Sequence, residues 1–329
     1  QVLDDFLPES LATRARTIFE DNFSDPRTGR PDRFVWDWWH VAGQYTLLRT
    51  PAQNYLGPAV YQEVTAALCA FGREVLGCTA ISPPWLSLYV DGCEQRLHVD
   101  GWHGPWAFVL SLTDWDRRGF DGGETLLLKP HVLDYWRGLR AGIGLEEFHL
   151  VDEVEPRFNR LTLFDPRVPH GVRPVRGTRD PLRGRLVLHG WFTEPAPFLS
   201  GGLGEAEAAA PLDAALERAL PGLQAAGRVT GLLAVRMRVA GADGSVAEVS
   251  ALSDTLVPDP DDAFLDDSGE DEDGEESGDG GGSDGGDDHA LGATRQRVLT
   301  ALSEALSVQR FPVSCTGEDT MVTVPYVFE

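Results

Sequence analysis

The order of helical and strand-like segments constrains the fold of this chain most strongly. Residues 11–22 and 58–75 have the apolar spacing of amphipathic helices. From Trp85 onward the pattern changes to short alternating runs separated by Gly, Pro and Asp. The predicted strands are 86–90, 96–100, 107–112, 124–128, 161–164 and 185–192. Helices followed by many short strands predict a β-sandwich or barrel braced by N-terminal helices.

Composition divides the chain into three zones. Residues 1–198 are rich in Trp, Phe and Arg and contain the predicted barrel. Residues 199–257 and 293–329 predict a small αβ domain. Its expected helices are 211–225 and 294–306, and its expected strands are 232–239, 246–252 and 321–328. Residues 258–292 form an acidic tract with almost no hydrophobic side chains, which predicts a disordered insert.

The net charge of −24 is concentrated in this acidic tract. Residues 259–288 hold fifteen Asp or Glu and no Lys or Arg, so the rest of the chain carries only −9. The predicted folded part lacks the basic surface that phosphate binding requires, and we therefore expect no nucleic-acid partner. The tract itself is interpreted as a solvated linker, with attraction of a basic peptide as the alternative.

The cysteines and the hydropathy pattern favour a cytoplasmic protein without a membrane partner. The four cysteines, Cys69, Cys78, Cys93 and Cys315, form no CxxC pair and are expected to be free thiols. No leader with a charged start and an apolar centre opens the sequence, and no apolar run reaches the length of a membrane-spanning helix.

A histidine, an aspartate and a second histidine form a candidate metal site. Side chains at i and i+2 of a strand share a face, so His98 and Asp100 are expected to project together. His170 follows a turn beside another apolar strand and supplies a third donor. Two imidazoles and one carboxylate leave coordination positions open, which suits non-haem Fe(II). A zinc hydrolase with Glu124 as general base is an alternative.

Several other motifs have simpler interpretations. Gly122-Gly123 lacks the lysine and serine of a phosphate loop and predicts a tight turn before a strand. Residues 129–156 predict a long connection with a short helix around 131–140, a feature typical of lids and substrate loops. Two aromatic clusters allow either a packing role or a substrate role. They are Trp36, Trp38, Trp39 and His40, and Trp102, His103 and Trp106.

The first zone resembles the prolyl 4-hydroxylase-like family of Fe(II)- and 2-oxoglutarate-dependent dioxygenases over about residues 4–195. The matching motifs are Asp5-Phe6-Leu7-Pro8, Tyr89, His98-Val99-Asp100, Asp114-Trp115-Asp116, Gly122-Gly123-Glu124, Pro169-His170-Gly171-Val172, Arg185 and Gly190-Trp191-Phe192. The resemblance implies an α+β fold whose barrel is a double-stranded β-helix of the jelly-roll, cupin-like type. It implies Fe(II) on His98, Asp100 and His170, with 2-oxoglutarate and O2 as co-substrates and ascorbate as an optional stimulant.

The resemblance also identifies a candidate for the residue that binds the far carboxylate of 2-oxoglutarate. In the family a basic residue lies six positions before the strand tryptophan, which is Arg185 before Trp191. A buried carboxylate needs a charged partner, and a guanidinium can bind it through two hydrogen bonds. Arg179 is the alternative, at a spacing of nine after His170. Tyr89 and His189 are candidates for further contacts with the co-substrate.

These features predict a hydroxylase that acts on a prolyl or other residue in a peptide or protein. A free amino acid or a secondary metabolite is the alternative small-molecule substrate, and a non-catalytic barrel that only binds its ligand is the other alternative. Residues 210–329 weakly resemble the C-terminal domain of TonB-like proteins. We interpret them as a module for protein binding or dimerisation.

Overall fold

The structure is a computed structural model that describes residues 1–23, 36–101, 103–129, 150–259 and 286–329. Trp102, the helix expected around residues 131–140 and most of the acidic tract lie outside the described residues. The chain divides into two compact units. The first contains residues 1–70 and 80–194, and the second contains residues 71–79 and 195–329.

Helices in the N-terminal part follow from amphipathic spacing. The helices before residue 80 are α1 (Glu9–Phe23), α2 (Ala52–Tyr55) and α3 (Pro58–Phe71), with a π-helical turn at Gly72–Leu76. In α1 the buried positions Leu11, Ala15 and Phe19 are spaced by four residues, so they form one apolar face. The two helices expected in this part of the chain are present, with shifted ends.

Strands of the first unit are short, as the alternating runs predicted. They are β1 (Val2–Leu3), β2 (Asp37–Val41), β3 (Tyr45–Pro51), β4 (Cys78–Ile81), β5 (Trp85–Tyr89), β6 (Glu94–His98), β7 (Trp106–Ser111), β8 (Phe120–Asp121), β9 (Thr125–Leu128), β10 (Val151–Val154), β11 (Leu161–Phe164), β12 (His170–Val172), β13 (Arg176–Gly177) and β14 (Arg185–Pro195). A short 3₁₀ turn, Pro181–Arg183, precedes β14.

Twelve of these strands form one large, curled sheet. Its order is β1-β11-β7-β14-β5-β3-β6-β12-β9-β10, and neighbours along this order are antiparallel. The strand β2 pairs with β3 and β4 pairs with β14, which completes the twelve strands, and β8 and β13 form a separate pair. The predicted α+β fold with a jelly-roll barrel and N-terminal helices is confirmed.

The core of the first unit lies on the inner and outer faces of this sheet. Phe108, Leu110 and Leu188 are at most 1% exposed, and they alternate with side chains on the opposite face. Burial of side chains of this size stabilises a fold by about 1.5–3 kcal/mol each. The sheet is therefore a rigid frame for residues that point into its concave side.

The second unit is a small αβ structure. Its elements are β15 (Phe198–Gly201), α4 (Glu205–Ala225), β16 (Val229–Val239), β17 (Val246–Asp254), β18 (Val257–Pro258), α5 (Gly286–Ser307) and β19 (Thr320–Phe328). The sheet order is β15-β19-β16-β17, and β18 pairs with one end of β16. Its core joins Val298 and Leu302 of α5 to Val235 and Met237 of β16.

The π-helical turn belongs to this second unit although it lies early in the chain. Ser253 donates a hydrogen bond to the Val75 carbonyl oxygen at 2.9 Å. A Cβ atom on Gly77 would lie 2.8 Å from Pro325, so only glycine fits without displacement at this φ of +70°. These contacts bind residues 71–79 to the sheet of the second unit.

Two helices of the second unit begin earlier than expected. The helix α4 starts at Glu205 rather than 211, where Glu207 accepts a hydrogen bond from the Gly204 backbone N–H at 2.9 Å. The helix α5 starts at Gly286 rather than 294, so it includes residues 286–292, which we expected to be disordered.

Cysteine and membrane expectations can be compared with the described residues. All four cysteines are free thiols, and Cys78 and Cys93 are buried. Within the described residues no helix combines the length and the apolar character that crossing a membrane requires.

Candidate metal centre

His98, Asp100 and His170 converge at one point of the concave sheet. Their potential ligand atoms all lie within 4.8 Å of one another. Asp100 lies between the two imidazoles, with Oδ1 at 3.4 Å from His98 Nε2 and Oδ2 at 3.3 Å from His170 Nε2. The structure thus brings together the three residues that the sequence indicated as metal ligands.

Strand pairing accounts for this convergence. His98 ends β6 and lies directly opposite His170, which begins β12. The strand was expected to continue to Asp100, but it ends at His98, so the i and i+2 reasoning applies only in part. Asp100 is held instead by its backbone N–H, which donates to the Pro166 carbonyl oxygen at 2.9 Å.

Backbone carbonyls orient both imidazoles. His98 Nδ1 lies 2.9 Å from the Arg96 carbonyl oxygen, and His170 Nδ1 lies 2.9 Å from that of Val168. A carbonyl oxygen only accepts, so each Nδ1 carries the proton and each Nε2 presents a lone pair. This arrangement is typical of metal-binding histidines. The Gln95 side-chain amide lies 3.1 Å from His98 Nε2 and covers this lone pair.

The protonation states suit a cation as a fourth partner. Burial opposes ionisation of Asp100, but its pKa lies well below the ordinary value, because each neighbouring imidazole can donate from Nε2 to the carboxylate when no cation is bound and that nitrogen is protonated. Burial also disfavours the charged form of His98, yet hydrogen bonds with Asp100 and the Arg96 carbonyl raise its pKa overall. Asp100 is therefore an anion at neutral pH, flanked by two imidazoles.

The three residues line a cavity of about 260 Å³ in the concave side of the sheet. Arg185 from β14 also lines this cavity and is only 1% exposed. Its Nη2 donates to Thr125 Oγ1 at 3.2 Å, while Nε and Nη1 have no hydrogen-bond partner among the described residues. Its guanidinium carbon lies 4.6 Å from the centre of the Tyr89 ring.

A buried guanidinium without a carboxylate partner among the described residues indicates an anionic ligand. Burial lowers the pKa of Arg185, since its charge is poorly solvated. Leaving buried N–H groups without acceptors costs about 1–3 kcal/mol. A dicarboxylate with one end at His98, Asp100 and His170 and the other at Arg185 would satisfy both sets of groups. The residues present therefore fit Fe(II) and 2-oxoglutarate together.

The rival arginine and the rival general base lie elsewhere. The Arg179 side chain is 84% exposed and pairs with Asp91 at 3.5 Å, and it does not line the cavity. Glu124, proposed as base for a zinc hydrolase, does not line the cavity either and forms a salt bridge with Arg173 at 3.3 Å. Both alternatives thus lack the geometry that their roles require.

Tyr89 and His189 both line the cavity. The Tyr89 hydroxyl donates to Gln95 Oε1 at 3.2 Å, and burial raises its pKa. His189 Nε2 lies 2.9 Å from Ser87 Oγ. Burial, together with the positive charges of Arg185 and Arg49, lowers the pKa of His189 to about 4. His189 is therefore neutral at physiological pH.

The aromatic clusters divide between the cavity and the core. His103 lines the cavity and stacks on Trp191, with ring centroids 4.3 Å apart, whereas Trp106 is buried away from it. Trp39 lines the cavity, whereas Trp36 packs against Tyr55 at 5.1 Å. The remaining two, Trp38 and His40, are exposed.

Sequence reasoning missed several polar residues of the cavity, among them Gln95, Thr125 and Arg49. The strand β3, which contributes Arg49, was not among the predicted strands. A signal was present, because Tyr45, Leu47 and Arg49 alternate at the spacing of one strand face. The alternation was not identified because a charged residue such as Arg49 is usually expected to face solvent rather than the inside of a barrel.

Comparison with known proteins agrees with this geometry. The family model described as "2OG-Fe(II) oxygenase superfamily" matches residues 84–193. No curated protein matches the chain. Among solved structures, a Pseudomonas putida prolyl-4-hydroxylase is 20% identical, with a TM-score of 0.40, covering 59% of this chain and 91% of its own.

Two further solved structures are similar at lower identity. A prolyl hydroxylase from Trichoplax adhaerens, in complex with a hypoxia inducible factor peptide fragment, is 16% identical, with a TM-score of 0.37, covering 59% of this chain and 82% of its own. HygX from Streptomyces hygroscopicus, with nickel and 2-oxoglutarate bound, is 12% identical, with a TM-score of 0.38. The similarity covers 57% of this chain and 80% of HygX. These similarities are too low to indicate a substrate.

The match to the family model covers β5 to most of β14 and includes the metal group and Arg185. The family implies Fe(II), 2-oxoglutarate and O2 as the reactive partners. Residues 84–193 are a 2OG-Fe(II) oxygenase domain, and the protein is a 2-oxoglutarate-dependent dioxygenase.

Proposed function

We propose that this protein is a hydroxylase of a prolyl or other residue in a peptide or protein. The observation that supports this proposal is one cavity with two complementary ends. One end carries the His98, Asp100 and His170 group, and the other carries the unpaired guanidinium of Arg185. Hydroxylation of a free amino acid or a secondary metabolite is the alternative, and a barrel that binds without turnover is the second.

Arg185 is proposed to hold the far carboxylate of 2-oxoglutarate. Its Nε and Nη1 have no partner among the described residues, so the guanidinium has N–H groups free to donate to a carboxylate. Thr125 accepts from Nη2, and the Tyr89 ring lies against the guanidinium, so the fork is held in one orientation. Tyr89 and His189 are proposed to contact the co-substrate from the same wall.

His98, Asp100 and His170 are proposed to hold Fe(II) on one face. When bound there, Fe(II) with 2-oxoglutarate and O2 supplies the oxidation that yields succinate and CO2 and hydroxylates a substrate C–H bond. Neutral His189, hydrogen-bonded to Ser87, presents no competing charge to this cavity. The stacked pair His103 and Trp191 is proposed to shield the cavity from water.

Three further expectations accompany this proposal. Ascorbate is proposed to stimulate turnover by keeping iron in the Fe(II) state. The second unit is proposed to bind protein or to dimerise, as its weak resemblance to TonB-like C-terminal domains suggested. A cytoplasmic location agrees with the free cysteines.

The test is succinate formation by the full chain. Protein is mixed anaerobically with Fe(II) and 2-oxoglutarate, and O2 is then added. Wild type is compared with His170→Ala and with a matched histidine control, His40→Ala, since His40 is exposed and does not line the cavity. We expect succinate from wild type and His40→Ala and none above background from His170→Ala.

Each alternative has a distinct outcome in this experiment. A visible absorption band on anaerobic mixing, without succinate in the presence of substrate peptides or small molecules, would support a binding protein. Equal succinate from His170→Ala and wild type would contradict the assigned iron site.

A further inference from the structure

A second arginine lies in the cavity, held between two tryptophans. The guanidinium carbon of Arg49 is 3.1 Å from the ring centre of Trp39 and 4.1 Å from that of Trp85. The two indoles are 6.5 Å apart and inclined at 60°. Trp39 and Arg49 line the same cavity as the metal group. The indole faces fix the guanidinium but accept none of its in-plane hydrogen bonds.

Arg49 has no anionic partner within the described part of the chain. Its Nε is buried without a hydrogen-bond partner, and no described carboxylate forms a salt bridge with it. Asp37 lies opposite it on β2, and the charge of Asp37 acts on Arg49 only from a distance. Burial lowers the pKa of Arg49, as expected for a charge that lacks compensation.

The sum of the charges in the cavity indicates that one negative charge is needed for balance. Among the described lining residues, the permanently charged side chains are Arg49, Arg185 and Asp100. Bound Fe(II) and the 2-oxoglutarate dianion offset each other, and Asp100 offsets one arginine. One positive charge is left over. Since Arg185 faces the co-substrate end, the half-buried Arg49 is the residue whose charge a bound substrate can offset.

Arg49 occupies a different position from Arg185. Arg49 of β3 lies opposite Ser87 of β5, and Ser87 is the hydrogen-bond partner of His189. Arg185 of β14 lies opposite Tyr89 of β5. It also precedes residues 84–193, the part that matches the oxygenase family model. Arg49 is therefore an addition from β3 to the wall of the cavity.

We propose that Arg49 binds a carboxylate of the primary substrate and so selects anionic substrates. The inference rests on the proposed hydroxylase function and specifies its substrate class. The carboxylate has two sources, the α-carboxylate of a free amino acid or the side chain of an acidic residue in a peptide. The indole of Trp39, which lines the cavity, would contact the apolar part of the same group.

The experiment measures stimulation of succinate formation by matched pairs of compounds. The first arm uses the twenty free L-amino acids, each beside its amide. The second arm uses capped peptides with a central proline, lysine or asparagine, flanked by glutamate or by glutamine. Wild type is compared with Arg49→Gln, Arg49→Lys and the surface control Arg14→Gln, whose exposed arginine pairs with Glu63.

We expect stimulation from the carboxylate member of each active pair. Arg49→Gln should raise the KM for that compound roughly 10- to 100-fold, the loss expected for a hydrogen-bonded charge pair. Arg49→Lys keeps the positive charge but not the planar guanidinium, so its KM should lie between those of wild type and Arg49→Gln. The KM of Arg14→Gln should match that of wild type. Activity in the first arm identifies a small amino acid, and activity in the second identifies an acidic peptide.

Several outcomes overturn the inference without affecting the proposed function. These are equal stimulation by the carboxylate and the amide, an unchanged KM in Arg49→Gln, or no stimulation in either arm while wild type still makes succinate without substrate. Absence of all succinate from iron-loaded wild type would instead refute the hydroxylase itself. Circular dichroism and the 2-oxoglutarate affinity of Arg49→Gln check that the barrel is intact.

Discussion

Replacement of Arg185 by methionine should change co-substrate binding and ligand-free stability in opposite directions. Arg185 is 1% exposed, and two of its three nitrogens have no hydrogen-bond partner in the part of the chain that the structure describes. Truncation of one partner of a buried charge pair costs about 2–5 kcal/mol, so the dissociation constant for 2-oxoglutarate should rise roughly 30- to 5000-fold.

The ligand-free protein should become more stable. Its buried, unpaired N–H groups cost about 1–3 kcal/mol each, and methionine removes them with little loss of volume. The hydrogen bond to Thr125 and the contact with Tyr89 are lost, at about 0.5–2 kcal/mol each. The expected net result is stabilisation by about 1–2 kcal/mol.

Two assays measure these effects. Titration of the anaerobic Fe(II) protein with 2-oxoglutarate, followed by its visible band, gives the affinity, and urea unfolding of the ligand-free protein gives the stability. Arg179→Met is the control, since this side chain is 84% exposed. Wild-type affinity in Arg185→Met, or a loss in Arg179→Met instead, would refute the assignment of the carboxylate site. Destabilisation of ligand-free Arg185→Met by several kcal/mol would refute the description of Arg185 as an uncompensated charge.

Three more predictions concern neighbouring positions. His189 has a pKa of about 4 against an ordinary 6.5, so between these values the unfolded chain binds a proton that the folded chain does not. The free energy of unfolding therefore decreases as the pH falls. Between pH 7 and 5 this decrease, measured by urea titration, should be smaller in His189→Asn than in wild type by up to about 2 kcal/mol. Gly122→Ala should lower the free energy of unfolding by more than about 2 kcal/mol, because a Cβ atom at φ +79° would clash with the Pro174 carbonyl. The control Gly92→Ala, whose Cβ would lie in open space, should lower it by only about 1 kcal/mol. Equal losses in the two variants would contradict this reasoning. Tyr89→Phe should raise the KM for 2-oxoglutarate by less than about tenfold, because it removes one hydroxyl and keeps the ring beside Arg185; a larger loss would assign the hydroxyl a central role.

The barrel and the metal group could be predicted because both depend on local patterns. Alternation along residues 161–164 and 185–192 reflects side chains that point to opposite faces of one strand, and this period is visible in a single sequence. The spacing of His98 and Asp100 is local as well. Their approach to His170 depends on the pairing of β6 with β12, which the family resemblance supplied.

The rest of the cavity depends on contacts between distant segments. Arg49 and Arg185 are separated by more than a hundred residues, and only the β3-β5-β14 order brings them into one cavity. An arginine in a strand is usually a solvated side chain, so its spacing alone does not indicate an inward position. Residues 71–79 likewise join the second unit through partners near residues 253 and 325.

The placement of β19 has a consequence for vectorial synthesis on the ribosome. This strand pairs with both β15 and β16 at the centre of the second sheet, yet it follows every other strand in the chain. The segment with Val75 and Gly77 is synthesised more than two hundred residues earlier. Its contact with Pro325 therefore cannot form until β19 has left the ribosome. Chains that end before residue 320 should expose this segment and rely on chaperones, even though they contain every residue of the oxygenase cavity.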